Sequence, residues 1–370
     1  RGMAGENDAI SIIYVLNELP LYRTNEQKGD FRINFWPEAG GSDAPLFLNQ
    51  TFSTDAELGM WLRTKDFRRA ISFALDRLEI NEGVFLGRGT PQNQVVDPAS
   101  PFYPGIESAQ FEVNHDMAMA NQLLDSLGLT AKDSAGYRLR TDGKGRLSFV
   151  LNIREDESVD VSEYIQDQLK DVGIEIILDV DGKANSNFIQ NNVPMTMNID
   201  ASAHQSNPWH VNWTRLVPLT AGSLLAPSIG NYFETQGASG MAPGGPDPAW
   251  TDAMGRMTGP GGFPADISGN LNELAELWNE GKLYGKFSPQ RLEIAKSIFR
   301  INAEEKYKVD TIGLSATRRG VHISRNNVGN IPMTANREKF GYHHELYYFT
   351  DGTGNCACPG GQPTFVRPEK

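Results

Sequence analysis

The stretch Asp66 to Gly89, DFRRAISFALDRLEINEGVFLGRG, holds more structural information than any other part of the chain. Phe67, Ile71, Ala74 and Leu78 recur at helical spacing, while Arg68, Arg69, Asp76, Arg77 and Glu79 occupy most of the other directions. That pattern predicts one amphipathic helix lying on a core. Thr64 or Asp66 can accept from the open N–H groups of its first turn, and Gly83, Gly87 and Gly89 release the chain into a loop.

Working outward, NHDMAMANQLLDSLGL places Met117, Ala120, Leu123, Leu124 and Leu127 on a second helix, with Asn114 as its cap and Gly128 as its terminator. In RLSFVLNI the apolar residues Leu147, Phe149, Leu151 and Ile153 alternate as in a strand. SVDVSEYIQDQLKDVG then reads as a helix and IEIILDV as a further strand. A strand, a helix and a strand of this length imply a crossover connection and parallel pairing. NLNELAELWNEGK and SPQRLEIAKSIFRINAEEKY supply two late helices, the second with Pro289 in its first turn and Leu292, Ala295, Ile298 and Phe299 along one face.

The ends differ from the middle. DAISIIYVL, FRINFW and PLFLNQTF read as short strands between polar turns, and VDTIGLS, VHISR and ELYYF bring strand-like pieces back after Lys308. Residues 1–54 and 308–370 are therefore expected to belong together and to enclose 55–307 as an α/β lobe. The segment Ser239 to Gly262, with GMAPGGPDP and TGPGGFP, reads as surface loops around a short helix near Trp250 to Met257.

Composition narrows the function. A length of 370 residues suits two domains, and 39% hydrophobic residues suffice for buried cores. A net charge of -12 without a basic run argues against nucleic acid as a partner. No apolar run of about 18 residues is present to span a bilayer. Cys356 and Cys358 are separated by one residue, which would strain a mutual disulfide and leaves too few ligands for a zinc site. The sequons at Asn49 and Asn212 are short enough to arise by chance.

Several blocks, taken in order, resemble one family: GMAGENDA, PLFLNQTF followed by TKDFRRAISFALDR, LGRGTPQNQVVDPASPFYPG, the run from VNHDMAMANQLLDSLGL to RLSFVLNI, and YIQDQLKDVGIEIIL. Their wording is similar to that of the family 5 extracellular solute-binding proteins, the peptide and nickel class of receptors that feed ABC importers. The likeness covers about residues 50–200, with a looser continuation to the end. It implies a class C periplasmic-binding-protein-like fold, here mainly the second lobe with a mixed sheet and flanking helices, plus late strands of the first lobe. It also implies capture of a peptide-like solute by closure of two lobes, delivery to ABC permease subunits, and no catalysis, cofactor or metal. The protein is expected to be a monomer in the periplasm or on the outer face of the membrane, lipid-anchored when complete. Family members carry a much longer N-terminal portion, so the chain is read as the C-terminal part of a larger protein.

The richest candidate site is MTMNIDASAHQSNPWHVNWTRLVP, in which a strand delivers a loop to a sheet edge where open α/β folds place ligands. His204, Gln205, Asn207, Trp209 and Trp213 provide flat faces and hydrogen-bonding groups suited to a polar solute. Tyr232 is a further candidate. The alternative role for Trp209, Trp213 and Tyr232 is core packing. Tryptophan and amides also suit sugar rings, so an oligosaccharide is the alternative ligand. A hydrolase is the competing class, but Glu155–Glu157 and Glu304–Glu305 are adjacent acids that do not face one another across a substrate. His343 and His344 would point to opposite faces of a strand.

Overall fold

A computed structural model describes residue 4 and residues 9–12, 18–36, 41–154, 159–197, 207–209, 213–240, 269–315, 321–331 and 348–349. The segment around Trp250, the His343–His344 pair and both cysteines lie outside them. The chain divides into two compact units, one of residues 1–38 with 315–370 and one of residues 39–314. The sequence pattern alone had set the divisions at 54 and 308.

In the first unit, β1 (Ala9–Ile12) and β2 (Phe31–Phe35) flank β10 (Val321–Arg325) in an antiparallel three-stranded sheet, so the two ends of the chain do pair. Between β1 and β2 runs α1 (Leu19–Gly29), a helix that the strand-rich look of this segment hides. Only Leu19 and Tyr22 of it are buried, too few apolar positions to set up a helical period. Trp36 is fully buried, stacked on His322 with ring centroids 4.1 Å apart. A short pair, β11 (Val328–Gly329) with β12 (Tyr348–Phe349), completes the described strands of this unit.

The second unit is built on a five-stranded mixed sheet of order β6-β5-β7-β3-β8: β3 (Leu46–Leu48), β5 (Ser148–Ile153), β6 (Glu175–Val180), β7 (Met195–Met197) and β8 (Lys308–Val309). The alternation read in RLSFVLNI is observed, with Leu147, Phe149, Leu151 and Ile153 all fully buried. β5 pairs in parallel with both β6 and β7, while β3 runs antiparallel to β7 and β8. Four strands therefore share one direction and β3 opposes them. A two-stranded ribbon of β4 (Thr90–Pro91) and β9 (Ile312–Gly313) lies beside the sheet.

Register assigns the faces. Leu151, Met195 and Leu48 are successive partners across the sheet and share one face, as Asn152, Thr196 and Phe47 share the other. The first face is covered by α2 (Ala56–Arg63), α3 (Lys65–Ala74), α4 (Arg77–Phe85), α6 (Met117–Ser126) and α7 (Val159–Asp171), with Phe67 of α3 5.6 Å from Phe149 ring to ring. Phe47 on the second face joins a buried cluster containing Phe188, Ile229, Leu274, Ile298 and Phe299. These come from α8 (Ala184–Ile189), α9 (Pro227–Glu234), α10 (Gly269–Gly281) and α11 (Pro289–Glu305), with α5 (Ile106–Ala109) packed against α11. The result is helices on both faces of a mixed sheet, the layered arrangement expected from the strand and helix alternation.

The single helix expected over Asp66 to Gly89 is two. Leu75 leaves the helical region at φ -85, ψ 118, and Asp76 starts α4 by accepting from the Leu78 and Glu79 N–H groups at 2.9 and 3.1 Å. The residue read as part of the outer face is thus an N-cap, and Leu78, read as core, is 68% exposed. Thr64 sits at the N-cap of α3 without a side-chain bond to its first turn, its hydroxyl donating instead to Met60 O at 2.9 Å. Two expected surface charges are buried for a related reason. Arg68 donates to the Leu62 and Arg63 carbonyls that end α2, and Arg77 donates to the Ser72 carbonyl in the last turn of α3. Each guanidinium satisfies the open C=O groups at a helix end. The cap of α6 is Asp116, accepting from Met119 N–H, rather than Asn114. Asn49 is fully buried and its side-chain oxygen accepts from Thr51 N–H at 3.0 Å, so that sequon is a local turn device.

Candidate functional site

Because β5, β6, β7 and β8 run the same way, their carboxyl ends open on one edge of the sheet, where ligands of open α/β folds bind. The chain enters β3 and leaves β8 at this same edge. β5 delivers Arg154 there, β6 delivers Asp181, β7 ends there at Met197, and β8 delivers Asp310.

The polar groups at this edge are tied to one another. The Asn152 amide donates to Asp179 O and Oδ2 at 3.0 and 2.8 Å, and Asn187 Nδ2 donates to Asn152 Oδ1 at 3.1 Å and to Asp181 Oδ2 at 2.9 Å. The Lys183 backbone N–H and the Asn187 amide hold the Asp181 carboxyl below its ordinary range. Deeper in, Lys308 Nζ donates to both Asp310 oxygens at 2.8 and 2.7 Å, and Gln94 N–H donates to Asp310 Oδ2 at 2.9 Å. Burial lowers the Lys308 pKa, and the Asp310 charge opposes that. Before the amino end of β8, away from this edge, Lys306 is also fully buried, donating to Asn93 Oδ1 and to Phe111 O, both at 2.6 Å, and burial together with the Arg77 charge pushes its pKa down. These buried charges escaped the sequence reading, although Lys308 and Asp310, two apart in a strand-like run, must share a face. The edge groups form a fixed, mutually satisfied polar network. Among the described residues no cluster of three or more His, Cys, Asp or Glu side chains is placed to hold a metal ion.

The sequence-predicted site residues separate on inspection. His204 and Gln205 lie outside the described residues, and of Trp213 only the backbone is described, as the start of the 3-10 turn Trp213–Arg215. The Asn207 side chain accepts from Trp209 N–H at 3.0 Å. The Trp209 indole packs at the end of α10: its Nε1 donates to Trp278 O at 2.8 Å, and the Arg291 guanidinium lies 4.4 Å from its ring centroid. A Cβ placed on Gly281 would lie 1.9 Å from Trp209 Cζ2, so the glycine is what admits the ring. Trp278 reciprocates by donating Nε1 to Pro208 O at 2.9 Å. Trp209 thus fastens the far end of the loop that leaves β7. Tyr232 sits on α9, half-buried, edge-on to Phe233 at 5.9 Å. α9 begins at the opposite edge of the sheet, where Gln50 N–H donates to Leu225 O and Ser228 N–H to Thr51 Oγ1. Tyr232 is therefore not gathered with the carboxyl-edge groups by any described contact.

A layered α/β unit with polar groups at the carboxyl edge of its parallel strands has the architecture in which open α/β folds bind small molecules. Comparison with known proteins gives the family. The model of the bacterial extracellular solute-binding proteins, family 5, matches residues 3–214, and the chain belongs to that family. It is 25% identical over 291 residues to a periplasmic alpha-galactoside-binding protein of Rhizobium meliloti, covering 74% of this chain and 35% of that protein. It is 33% identical over 165 residues to the oligopeptide-binding protein AppA of Bacillus subtilis, covering 40% of this chain and 29% of the relative. Among solved structures, the oligopeptide-binding protein OppA superposes with a TM-score of 0.67 at 21% identity, over 91% of this chain and 51% of that one. MelB of Agrobacterium fabrum in complex with stachyose gives 0.60 at 16% identity, over 90% and 46%. The periplasmic-binding-protein fold is shared, and the chain spans about half the length of these structures and less of the sequence relatives.

Proposed function

We propose that this chain serves as the second lobe, with strands of the first, of an extracytoplasmic solute-binding component of an ABC importer. Residues 39–314 form the second lobe in this reading, and 1–38 with 315–370 contribute to the first. The whole protein grips a solute by closure and hands it to permease subunits, with no bond made or broken. It works outside the cytoplasm, held to the membrane by a lipid anchor. The observation that carries the proposal is the family match across residues 3–214, which includes β3, β5, β6 and β7 of the sheet.

Peptides are the leading ligand. Extended peptides gain affinity from main-chain hydrogen bonds and are tolerated by hydrated side-chain pockets. The loop of His204, Gln205 and Asn207, running on to Trp213, is proposed to face the ligand, with Trp209 as its anchor and Tyr232 as a more distant wall. An oligosaccharide is the second reading, favoured by the alpha-galactoside-binding relative, whose similarity covers 74% of this chain. Calorimetric titration of the full-length protein with short peptides and with alpha-galactoside oligosaccharides tests both, beside mass spectrometry of co-purified material. Peptide saturation supports the main reading and sugar saturation the second. Turnover of chromogenic esters, peptides or glycosides above blank would overturn both.

A further inference from the structure

The turn between α10 and α11, KLYGKFS at residues 282–288, carries Leu283, the most exposed large apolar side chain among the described residues. Leu283 is 82% exposed and Phe287 61%. Single exposed apolar residues need no explanation, but two within five residues on a well-bonded turn do. Leu283 N–H donates to Glu280 O at 2.9 Å and Ser288 N–H to Gly285 O at 2.9 Å. Arg291 Nη1 donates to Tyr284 O at 3.0 Å, and Ser288 Oγ caps α11. The frame holds Leu283 outward, and Phe287 rests one side of its ring against Phe102, 6.0 Å between centroids, while the rest of it faces solvent.

Lysines interleave with these residues. Lys282 Nζ lies 4.2 Å from the Trp278 ring centroid and Lys286 Nζ 5.1 Å from that of Phe287, and among the described residues neither pairs with a carboxylate. The sign matters because the chain as a whole carries -12. An acidic body is repelled by an anionic surface, so contact with one must be made through a locally positive point. Exposed Leu and Phe between lysines combine the two features of interfacial membrane contacts: apolar side chains that enter the headgroup boundary and ammonium groups that meet its phosphates.

We propose that the α10–α11 turn is a contact for an anionic phospholipid surface, with Leu283 and Phe287 entering the interface and Lys282 and Lys286 on its phosphates. Two apolar residues and two charges make the contact weak and reversible. It orients a protein that is already near the membrane; it does not anchor one.

Co-sedimentation of the 370-residue chain with vesicles of phosphatidylcholine alone, and of phosphatidylcholine mixed with phosphatidylglycerol, tests this. The anionic vesicles should retain at least about fivefold more protein at low ionic strength, and the preference should vanish in high salt. K282E/K286E should abolish the preference, and L283S/F287S should lower binding about tenfold. Lys282 and Lys286 lie over the Trp278 and Phe287 rings and Phe287 touches Phe102, so both variants should melt a few degrees below the parent but remain folded at the assay temperature, which a thermal melt checks. As an independent reading, the L283W emission should shift to the blue on anionic vesicles only. Equal retention on both vesicles, or full binding by L283S/F287S, would overturn the proposal. So would retention that requires an acidic membrane protein in the vesicle, because the turn would then be a protein-docking point.

Discussion

Replacing Trp209 separates two roles that a tryptophan in a binding loop can have. Its indole N–H is spent on Trp278 O at 2.8 Å, its face is covered by the Arg291 guanidinium at 4.4 Å, and its six-membered ring rests on Gly281. Losing the hydrogen bond costs about 1 kcal/mol and losing the cation–π contact about 0.5–1. The apolar area uncovered in a half-buried indole adds roughly 1–2. Trp209→Ala should therefore destabilise the second unit by about 3 kcal/mol, read as a fall in the urea midpoint at unchanged slope. The mirror perturbation is Gly281→Ala, whose new methyl would sit 1.9 Å from Trp209 Cζ2 and so must expel the ring. It should cost about 2 kcal/mol in the parent and nothing in the Trp209→Ala background, where the obstacle is gone. A coupling of about 2 kcal/mol in the double-mutant cycle is the expected signature. Equal costs of Gly281→Ala in both backgrounds would refute the packing argument. Loss of ligand affinity by Trp209→Ala at an unchanged urea midpoint would assign the indole to the pocket instead.

Three further outcomes follow from local geometry. Glu57, 1% exposed, accepts from Trp61 Nε1, the Thr141 N–H and hydroxyl, and the Asp142 N–H at 2.7–3.0 Å, clipping the 138–147 hairpin to α2; Glu57→Ala should cost about 3–4 kcal/mol by urea unfolding. A cost below about 1 kcal/mol would mean the hairpin is held elsewhere. Leu86 ends α4 in the left-handed region at φ 54 while 40% exposed, so Leu86→Gly should raise stability by about 0.5–1 kcal/mol; a loss would show that its side-chain contacts outweigh the strain. For Asp55 and Asp142, burial disfavours ionisation, but hydrogen bonds from Arg140 outweigh it and hold both carboxyls below their ordinary 3.8. A carboxyl depressed by folding adds stability above its unfolded value and loses it as pH falls through the folded one. The urea midpoint should thus be level from neutral pH to about 5, fall below about 4, and fall less steeply in Arg140→Ala.

How far the chain could be read in advance follows the range of the forces involved. Elements set by their own periodicity were legible: the alternation of Leu147, Phe149, Leu151 and Ile153 led to β5, and the α7 crossover led to the parallel pair with β6. The break at Leu75–Asp76 was not, because Phe67, Ile71, Ala74 and Leu78 keep helical spacing across it. Only the Asp76 carboxylate turning onto the Leu78 and Glu79 N–H groups reveals two helices. Buried Arg68 and Arg77 were hidden for the same reason. An arginine on a polar stripe looks solvated until the carbonyls it must satisfy, at Arg63 and Val113, are brought to it by other parts of the chain.

The candidate site repeats this lesson in a sharper form. A strand ending at Met197 and a polar, aromatic loop after it could be read as a ligand edge from sequence, and parallel β5 and β7 supply the edge. Which loop residues face solute could not be read, since the partner that occupies the Trp209 N–H lies 69 residues away in Trp278. Until that pairing is known, stacking on a ligand and plugging a helix end predict the same residue type. The Trp278 carbonyl 2.8 Å from the half-buried indole accounts for its N–H by packing, and the affinity of Trp209→Ala measures what the ring face does. The Trp209–Trp278 reciprocal pair holds Pro208 and Trp209 beside Asn207, a fixed end for the loop proposed to face the solute.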